Sequence, residues 1–475
     1  MGIPRTTIVA TVGPACAQEE TLEAMMAAGV QVFRVNGAHA GPAEIARWVK
    51  AVRRAAGTER SPAVMVDLPG TKSRTGTFEK GPATLASGAV VRVFAGTSGG
   101  GPGAVPVQPL PPLRDVPVGA VILLGDGGVR LEVVDRRRDA LLARVVDGGE
   151  VGTGKGVHFP GVHVAAAVPT EGDRALAHAA VKAGADFLGQ SFVTTKEDVG
   201  RLKDLLQAAG AKGIPVVAKI ESATALANLD GILDRADAVL VARGDLGVDA
   251  GPERVPSLQK RILKAARRAG RPAIVATEML ESMTREMRPT RAEASDVAGA
   301  VFEGADAVML SAETAVGAHP VLVVETMARI LSEAEKDPDA PYAGDVRLAP
   351  PESRQGRPDQ HVVRAAVALA RETDARAIVV VTRTGSSAIR LSKERPRAQV
   401  HAFATTDAVC RRLSLAWGVC ARRLLGSPGT DAVVGQVLGT LRDAGSLATG
   451  DRAVLVMGGP GDEAGATTLI RLLTA

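Results

Sequence analysis

Short runs of aliphatic and β-branched residues recur along the chain, separated by stretches in which apolar positions fall at helical spacing. The runs are TIVATV (7–12), VFRVN (32–36), AVMVDL (63–68), DFLGQSF (186–192), PVVAKIE (215–221), AVLVARGD (238–245), PAIVATEM (272–279) and DAVMLSAE (306–313). Nearly continuous apolar runs of this length suit strands buried on both faces, with crossover helices between them. Helices are predicted over Glu19–Ala28, Ser257–Ala269 and Arg291–Phe302, and Thr170 with Asp173 forms a capping box at the start of another. Eight strand–helix units are the number that closes a (β/α)8 TIM barrel.

One connection breaks the rhythm. About a hundred residues separate the third and fourth runs, far beyond an ordinary barrel loop. Within them, alternating segments at Val90–Phe94, Val129–Val134 and Leu141–Val146 are interrupted by Gly and Pro. This predicts a small all-β domain inserted into a barrel loop, a β-barrel lid over the catalytic face. Residues 338–360 are Pro-rich, charged and without periodicity, which predicts a linker. Beyond it, strands are predicted at Ile378–Thr382, Val400–Phe403 and Ala453–Met457, alternating with helices in an open α/β domain. The expected division is barrel over 1–70, lid over 71–160, barrel again over 161–340 and a C-terminal α/β regulatory domain over 341–475. The stretch Gly149–Gly156 has the glycine spacing of a phosphate-binding loop. It lacks the terminal Ser or Thr and runs into Val157-His158-Phe159-Pro160, so it is read as the hinge returning from the lid.

Composition narrows the class. The 475 residues are 46% hydrophobic and 23% charged, and mean hydropathy is +0.11, values of a folded globular chain. A net charge of +5 and 2% aromatic residues give little footing for nucleic acid, which is recognised through positive patches and stacking rings. Three cysteines (Cys16, Cys410, Cys420) lack disulfide or zinc spacing and favour a reducing compartment. No apolar stretch reaches the roughly 18 residues of a membrane span. The first six residues match a myristoylation pattern, taken as coincidence because a strand begins at Thr7. The expectation is a cytoplasmic protein without membrane or nucleic-acid partners.

Candidate chemistry gathers where a barrel enzyme keeps it, at the C-terminal ends of the strands. Those ends carry Arg34 and Asn36, Asp67, Ser191, Lys219 and Glu221, Arg243 and Asp245, Thr277, and Ser311 and Glu313. Lys219 and Glu221 share a strand face because alternate side chains point the same way. Glu221 and Asp245, on adjacent strands, are placed to hold a hard dication such as Mg²⁺ or Mn²⁺, with no His or Cys to favour zinc. The same four residues Lys219, Glu221, Arg243 and Asp245 also suit a salt-bridge layer inside a barrel, and spacing leaves both readings open.

The segments TIVATVGPA, VFRVNGAH, TGKGVHFPG, VVAKIES, ADAVLVARGDLGV, ATEMLESM and RPTRAEASDVAGAVFEGADAVMLSAETAVG resemble pyruvate kinase, colinearly over essentially the whole chain. The resemblance implies phosphoryl transfer from phosphoenolpyruvate to ADP, giving pyruvate and ATP, with Mg²⁺ or Mn²⁺. By motif match, Arg34 corresponds to the arginine on the phosphoryl group and Lys219 to the lysine that stabilises it in flight. Glu221 and Asp245 correspond to the metal ligands. The Gly244 and Asp245 amides with the Thr277 hydroxyl correspond to the substrate-carboxylate site. Arg74 and His39 match residues near the phosphoryl and nucleotide path, and Thr277 and Ser311 are candidates to relay a proton to the enolate through water. Two other classes are carried beside this one: a Mg²⁺-dependent enolate-forming carbon–carbon lyase, and a catalytically silent regulator.

Departures from the family pattern concern a monovalent cation. Asn36 and Asp67 remain at the K⁺ position, but Ala38 and Leu68 stand where the family has Ser and Thr, and Lys72 replaces a glutamate. The resemblance implies a K⁺-independent enzyme in which the Lys72 ammonium supplies the charge; the alternative is a solvated lysine with K⁺ still held by Asn36 and Asp67. Pro69, Thr71, Glu278, Ala294 and Ala312 also depart, without removing a principal catalytic group. Thr382, Thr384, Gly385, Ser386 and Ser387 follow a strand and open a helix, resembling the family's effector-phosphate loop. Fructose bisphosphate, other sugar phosphates and AMP are not separable from these residues. Family resemblance also implies a homotetramer.

Overall fold

Aliphatic strands with no polar face require cover on both sides, and a closed barrel inside a ring of helices supplies it. In the computed structural model, residues 4–57, 61–125, 127–162, 168–337, 358–426, 430–459 and 467–475 are described. The barrel strands are Thr7–Thr11, Val30–Asn36, Ala63–Leu68, Phe187–Gln190, Val216–Ile220, Ala238–Ala242, Ala273–Ala276 and Ala307–Leu310. All pair in parallel and in sequential order, the first closing against the eighth through Thr7–Ala307 and its neighbours. Side chains pointing inward, among them Val9, Val32, Met65, Phe187, Leu240 and Met309, form one buried cluster. Outward-pointing ones pack with the surrounding helices in a second, larger core. The predicted helices stand at Glu19–Ala28, Val255–Arg268 and Arg291–Phe302. The Thr170–Asp173 box is formed in both directions, at 3.0 and 2.8 Å, and the second Asp173 oxygen accepts from Gly70 N at 3.0 Å. That cap therefore also pins the loop leading into the inserted domain.

The insertion is a seven-stranded sheet with its own core, which includes Val91, Val105, Ile122, Leu131 and Leu141. Its end strands, Arg74–Thr75 and Val157–His158, are brought together by an Arg74–Gly156 bridge, which rolls the sheet towards closure. The two stems to the barrel are laced together: Thr75 N donates to Lys155 O and Val157 N to Ser73 O, each at 2.8 Å. Gly149–Gly156 is thus a strand and a turn at the hinge, with Gly154 at φ +73° and no helix after it.

The C-terminal sheet runs, edge to edge, Val419–Arg423, Gln399–Ala404, Ala377–Thr382, Arg452–Met457 and Leu469–Thr474, the last antiparallel. The three central strands match the predicted runs. The two edges escaped prediction: Val419–Arg423 ends on Arg422 and Arg423, and an exposed Arg471 interrupts the apolar residues of Leu469–Thr474. Most of the segment expected as a linker lies outside the described residues, but its last three residues already belong to the helix Pro358–Glu372. Proline is well suited to a first helical position, where its missing N–H has no partner to lose.

This domain docks on the floor of the barrel, away from the strand ends that carry the chemistry. Leu415, 1% exposed, joins the inner barrel cluster, and Thr7 donates its hydroxyl to Ser414 O at 2.6 Å. Two acidic residues that precede barrel strands anchor the rest. Asp186 accepts from Arg411 at 2.7 Å, and Asp306 pairs with Lys393 and with Arg395, the latter at 3.0 Å. Burial pulls the Lys393 ammonium down to about 8 although Asp306 opposes the shift. Among the described residues, no helix is long and apolar enough to cross a membrane. Because Leu415 fills the barrel from below, Leu415→Ala leaves a void at the floor; it is expected to destabilise the protein by about 2–5 kcal/mol, read as a lowered thermal midpoint, without changing the KM for either substrate.

Candidate active site

At the C-terminal ends of the strands, beneath the inserted domain, lies a cleft of ≈ 290 Å³. Arg34, Asn36, His39, Lys72, Arg74, Lys219, Glu221, Asp245, Thr277 and Ser311 all line it. Ten positions spread over most of the barrel sequence thus converge on one mouth.

Each charged group is held by a neighbour. Arg34, 8% exposed, donates Nε to Asp67 Oδ2 at 2.7 Å and Nη1 to Thr11 Oγ1 at 3.3 Å. Asp67 sits behind Arg34, buried, so it orients the guanidinium and does not face the cleft. Lys219 Nζ lies 2.8 Å from Glu221 Oε1 and donates to Ser191 Oγ at 2.7 Å. The other Glu221 oxygen accepts Phe192 N at 2.7 Å, a bond Phe192 makes from a left-handed backbone at φ +55°. Asp245 Oδ1 meets Lys72 Nζ at 2.8 Å and His158 Nε2 at 3.8 Å. Those two residues lie on the outgoing and returning stems of the lid, so both stems meet the barrel at one carboxylate.

Burial and charge act against each other here. Burial raises the Glu221 carboxyl, Lys219 lowers it, and the nearby Asp245 charge raises it again, leaving it above the usual range. For Asp245, burial is the largest influence and works upward, but Lys72, Lys219 and His158 together outweigh it, and the group is held low. Burial alone would lower Lys219; Glu221 and Asp67 overcome that and hold it up and cationic. Two carboxylates close enough to repel, one of them buried, fit a hard dication completed by substrate oxygens and water. Among the described residues no group of three or more His, Cys, Asp or Glu is placed to hold a metal ion.

The structure corrects two readings of spacing. The run 238–245 is not one strand: it ends at Ala242, and Arg243–Ala250 is a helix whose first turn holds Gly244 and Asp245. Glu221 and Asp245 accordingly do not lie on adjacent strands, but one residue past a strand and in a helical turn. The first-turn amides of that helix lack intrahelical acceptors and sit at its positive end, ready for an anion. Gly244 N donates to the Thr277 hydroxyl oxygen at 3.0 Å, and that hydroxyl donates to Ala276 O at 2.6 Å. A closed layer of Lys219, Glu221, Arg243 and Asp245 does not form either, because Arg243 turns to Asp296 at 2.6 Å.

Thr277 and the following Glu278 are consecutive left-handed residues, φ +72° and +52°. Such conformations cost of order 1–3 kcal/mol each and collect at functional sites. Ser311 is fixed by Glu313, fully buried, which accepts Ser311 N at 2.6 Å and Leu280 N at 3.2 Å. Arg74 donates to Gly154 O at 3.0 Å, tying it to the hinge. Ser191, which stands at a strand end with no role assigned from sequence, and Phe192 and His158, to which the sequence assigns no chemical part, are neighbours of the site.

The C-terminal loop lies apart from the cleft. Gly385, at φ +88°, donates to Thr382 Oγ1 at 2.9 Å and precedes the helix Ser386–Lys393. Thr382 and Ser387 are buried, Ser387 bonding Thr467 at 2.5 Å, which leaves Thr384 and Ser386 as the more accessible hydroxyls.

Cations ranged around a carboxylate pair, under a lid on a (β/α)8 barrel, define an enzyme of anionic substrates suited to phosphoryl transfer. Residues 3–324 match the pyruvate kinase barrel domain and residues 360–473 the pyruvate kinase alpha/beta domain. The pyruvate kinase of Geobacillus stearothermophilus is 38% identical over 98% of this chain and 80% of its own length. That of Mycobacterium intracellulare is 37% identical over 98% of both. A crystal structure of a pyruvate kinase from Cryptosporidium parvum superposes with a TM-score of 0.90 at 29% identity, covering 99% of this chain and 96% of that one. The chain belongs to the pyruvate kinase family and is a phosphotransferase.

The orientation of Arg34 hangs on Asp67, and Asp67 on a glycine. A Cβ at Gly189 would lie 2.0 Å from Asp67 Oδ1. Gly189→Ala is expected to displace that carboxylate and destabilise the protein by about 1–3 kcal/mol, measured by denaturant unfolding, whereas Gly200→Ala, inside the helix Lys196–Ala208 where a Cβ meets open space, is expected to stabilise it by about 0.5–1 kcal/mol.

Proposed function

We propose that the cleft transfers the phosphoryl group of phosphoenolpyruvate to ADP, giving pyruvate and ATP, and that it does so without K⁺. The observation that carries this reading is the meeting of Arg34, Lys219, Glu221, Asp245 and Thr277 in one cleft.

Phosphoryl transfer asks for positioning and charge neutralisation more than covalent chemistry. Arg34, locked by Asp67, and Lys219, held by Ser191 and Glu221, offer fixed positive charge to the phosphoryl oxygens. The substrate carboxylate is received by the Gly244 and Asp245 amides at the helix start, beside the Thr277 hydroxyl. Glu221 and Asp245 are the residues that would hold Mg²⁺ or Mn²⁺, which when bound supplies Lewis-acid charge stabilisation. After transfer, the enolate carbon takes a proton; Thr277 and Ser311, both lining the cleft, are the groups assigned to deliver it through water. His39, after the second barrel strand, and Arg74, on the lid stem, line the same cleft and are assigned to the nucleotide.

K⁺ independence is supported by the presence of the Lys72 ammonium in the cleft that also holds Asn36. In this arrangement it pairs with Asp245, which stations a tethered positive charge among the groups of the cleft. A phosphorylated effector at Thr384 and Ser386, and a homotetramer, are supported by family membership and by the loop's position at a helix start.

A coupled assay for pyruvate from phosphoenolpyruvate, ADP and Mg²⁺ tests the reaction. Lys219→Met is expected to lower kcat by about 10²–10³; full turnover in that variant removes Lys219 from the chemistry. Rates in K⁺ and in a bulky tetraalkylammonium salt at equal ionic strength are expected to agree within about twofold, the discrimination left once a tethered ammonium replaces the ion. A strong requirement for K⁺ overturns the role given to Lys72.

A further inference from the structure

Thr277 presents its hydroxyl from a backbone that a β-branched residue rarely adopts, and Glu278 continues in the same unfavourable region. Something must hold these two residues there, because neither is glycine. The Arg243 guanidinium grips them from behind. Its Nε donates to Ala276 O at 3.1 Å and its Nη2 to Thr277 O, with Met279 Sδ at 3.0 Å. Its Nη1 is spent on Asp296, 2.7 Å from one oxygen and 2.6 Å from the other. Asp296 stands on the helix Arg291–Phe302, so the grip is referred to a rigid element outside the loop. Arg243 is also the first residue of the helix whose next two amides are Gly244 and Asp245. One residue thereby joins both halves of the anion cradle: its backbone begins the helix, and its side chain holds the loop that carries the Thr277 hydroxyl.

We propose that Arg243, oriented by Asp296, is a positioning residue that sets Thr277 against the Gly244 and Asp245 amides and so determines affinity for the carboxylate of phosphoenolpyruvate. This rests on the assignment of that carboxylate to Thr277 and the two amides. A planar fork reaches two successive carbonyls and a carboxylate at once; an ammonium, a point charge on a flexible stem, cannot hold the three in fixed register. Lysine at this position therefore fails to substitute.

The experiment uses the full chain with Mg²⁺ and compares Arg243→Lys, Arg243→Gln and Asp296→Asn. Both Arg243 variants are expected to raise the KM for phosphoenolpyruvate about 10- to 100-fold, leaving the KM for ADP within twofold. Asp296→Asn, which keeps a neutral acceptor, falls between them and wild type, and it carries the test if the Arg243 variants do not fold. Glu278→Gly removes one of the two strained non-glycine positions from an exposed side chain. It is expected to recover part of the lost affinity in Arg243→Gln and to change wild type little. A KM for phosphoenolpyruvate unchanged in folded Arg243→Lys, equal rises for both substrates, or no recovery with Glu278→Gly overturns the proposal. Thr277→Ala separates the two levels: no effect on the KM for phosphoenolpyruvate removes the cradle assignment itself, whereas an effect there with none at Arg243 removes only the clamp.

Discussion

Glu221 is a carboxylate with 3% of its surface exposed, set near a second carboxylate, Asp245. Burying like charges together is costly unless opposite charges accompany them. Much of the upper barrel is arranged around that constraint. Lys219 sits on Glu221, Lys72 reaches in from the lid stem to Asp245, and Phe192 adopts a left-handed backbone to give Glu221 its N–H. The same cations that compensate the carboxylates line the cleft, so one arrangement both offsets the buried negative charge and presents positive charge to an anion.

The carboxylate pair also links the lid to the barrel. Asp245 is approached by Lys72 from one stem and His158 from the other, while the stems are hydrogen-bonded to each other. The inserted domain, from Arg74 to His158, is thus joined to the barrel beside Asp245. On the opposite face, stability is handled separately: Leu415 plugs the barrel, and Asp186 and Asp306 tie down the C-terminal domain. Three left-handed non-glycine residues, Phe192, Thr277 and Glu278, lie on the upper side, and a further one, Arg395 at φ +50°, carries an ion pair to Asp306 below.

The eight barrel strands, the insertion and the centre of the C-terminal sheet were legible in the chain because each depends on local chemistry. An apolar run such as Ala273–Ala276 has no alternative but burial, and Thr170 with Asp173 caps a helix wherever it folds. The edge strands Val419–Arg423 and Leu469–Thr474 were not legible, since they are defined by the neighbour they pair with and not by their own hydrophobicity.

For the site, the residue types at the strand ends and their resemblance to pyruvate kinase were enough to name ten of the side chains that line the cleft. Their partners were beyond reach of spacing. That Arg243 leaves Asp245 for Asp296, that Asp245 belongs to a helical turn, and that Lys72 rests on Asp245 are decisions of three-dimensional packing. Secondary structure and burial follow from short-range pattern. Which cation meets which carboxylate depends on directions fixed only when strands, helices and the inserted domain have closed around one another, because ion pairs form between residues far apart in sequence.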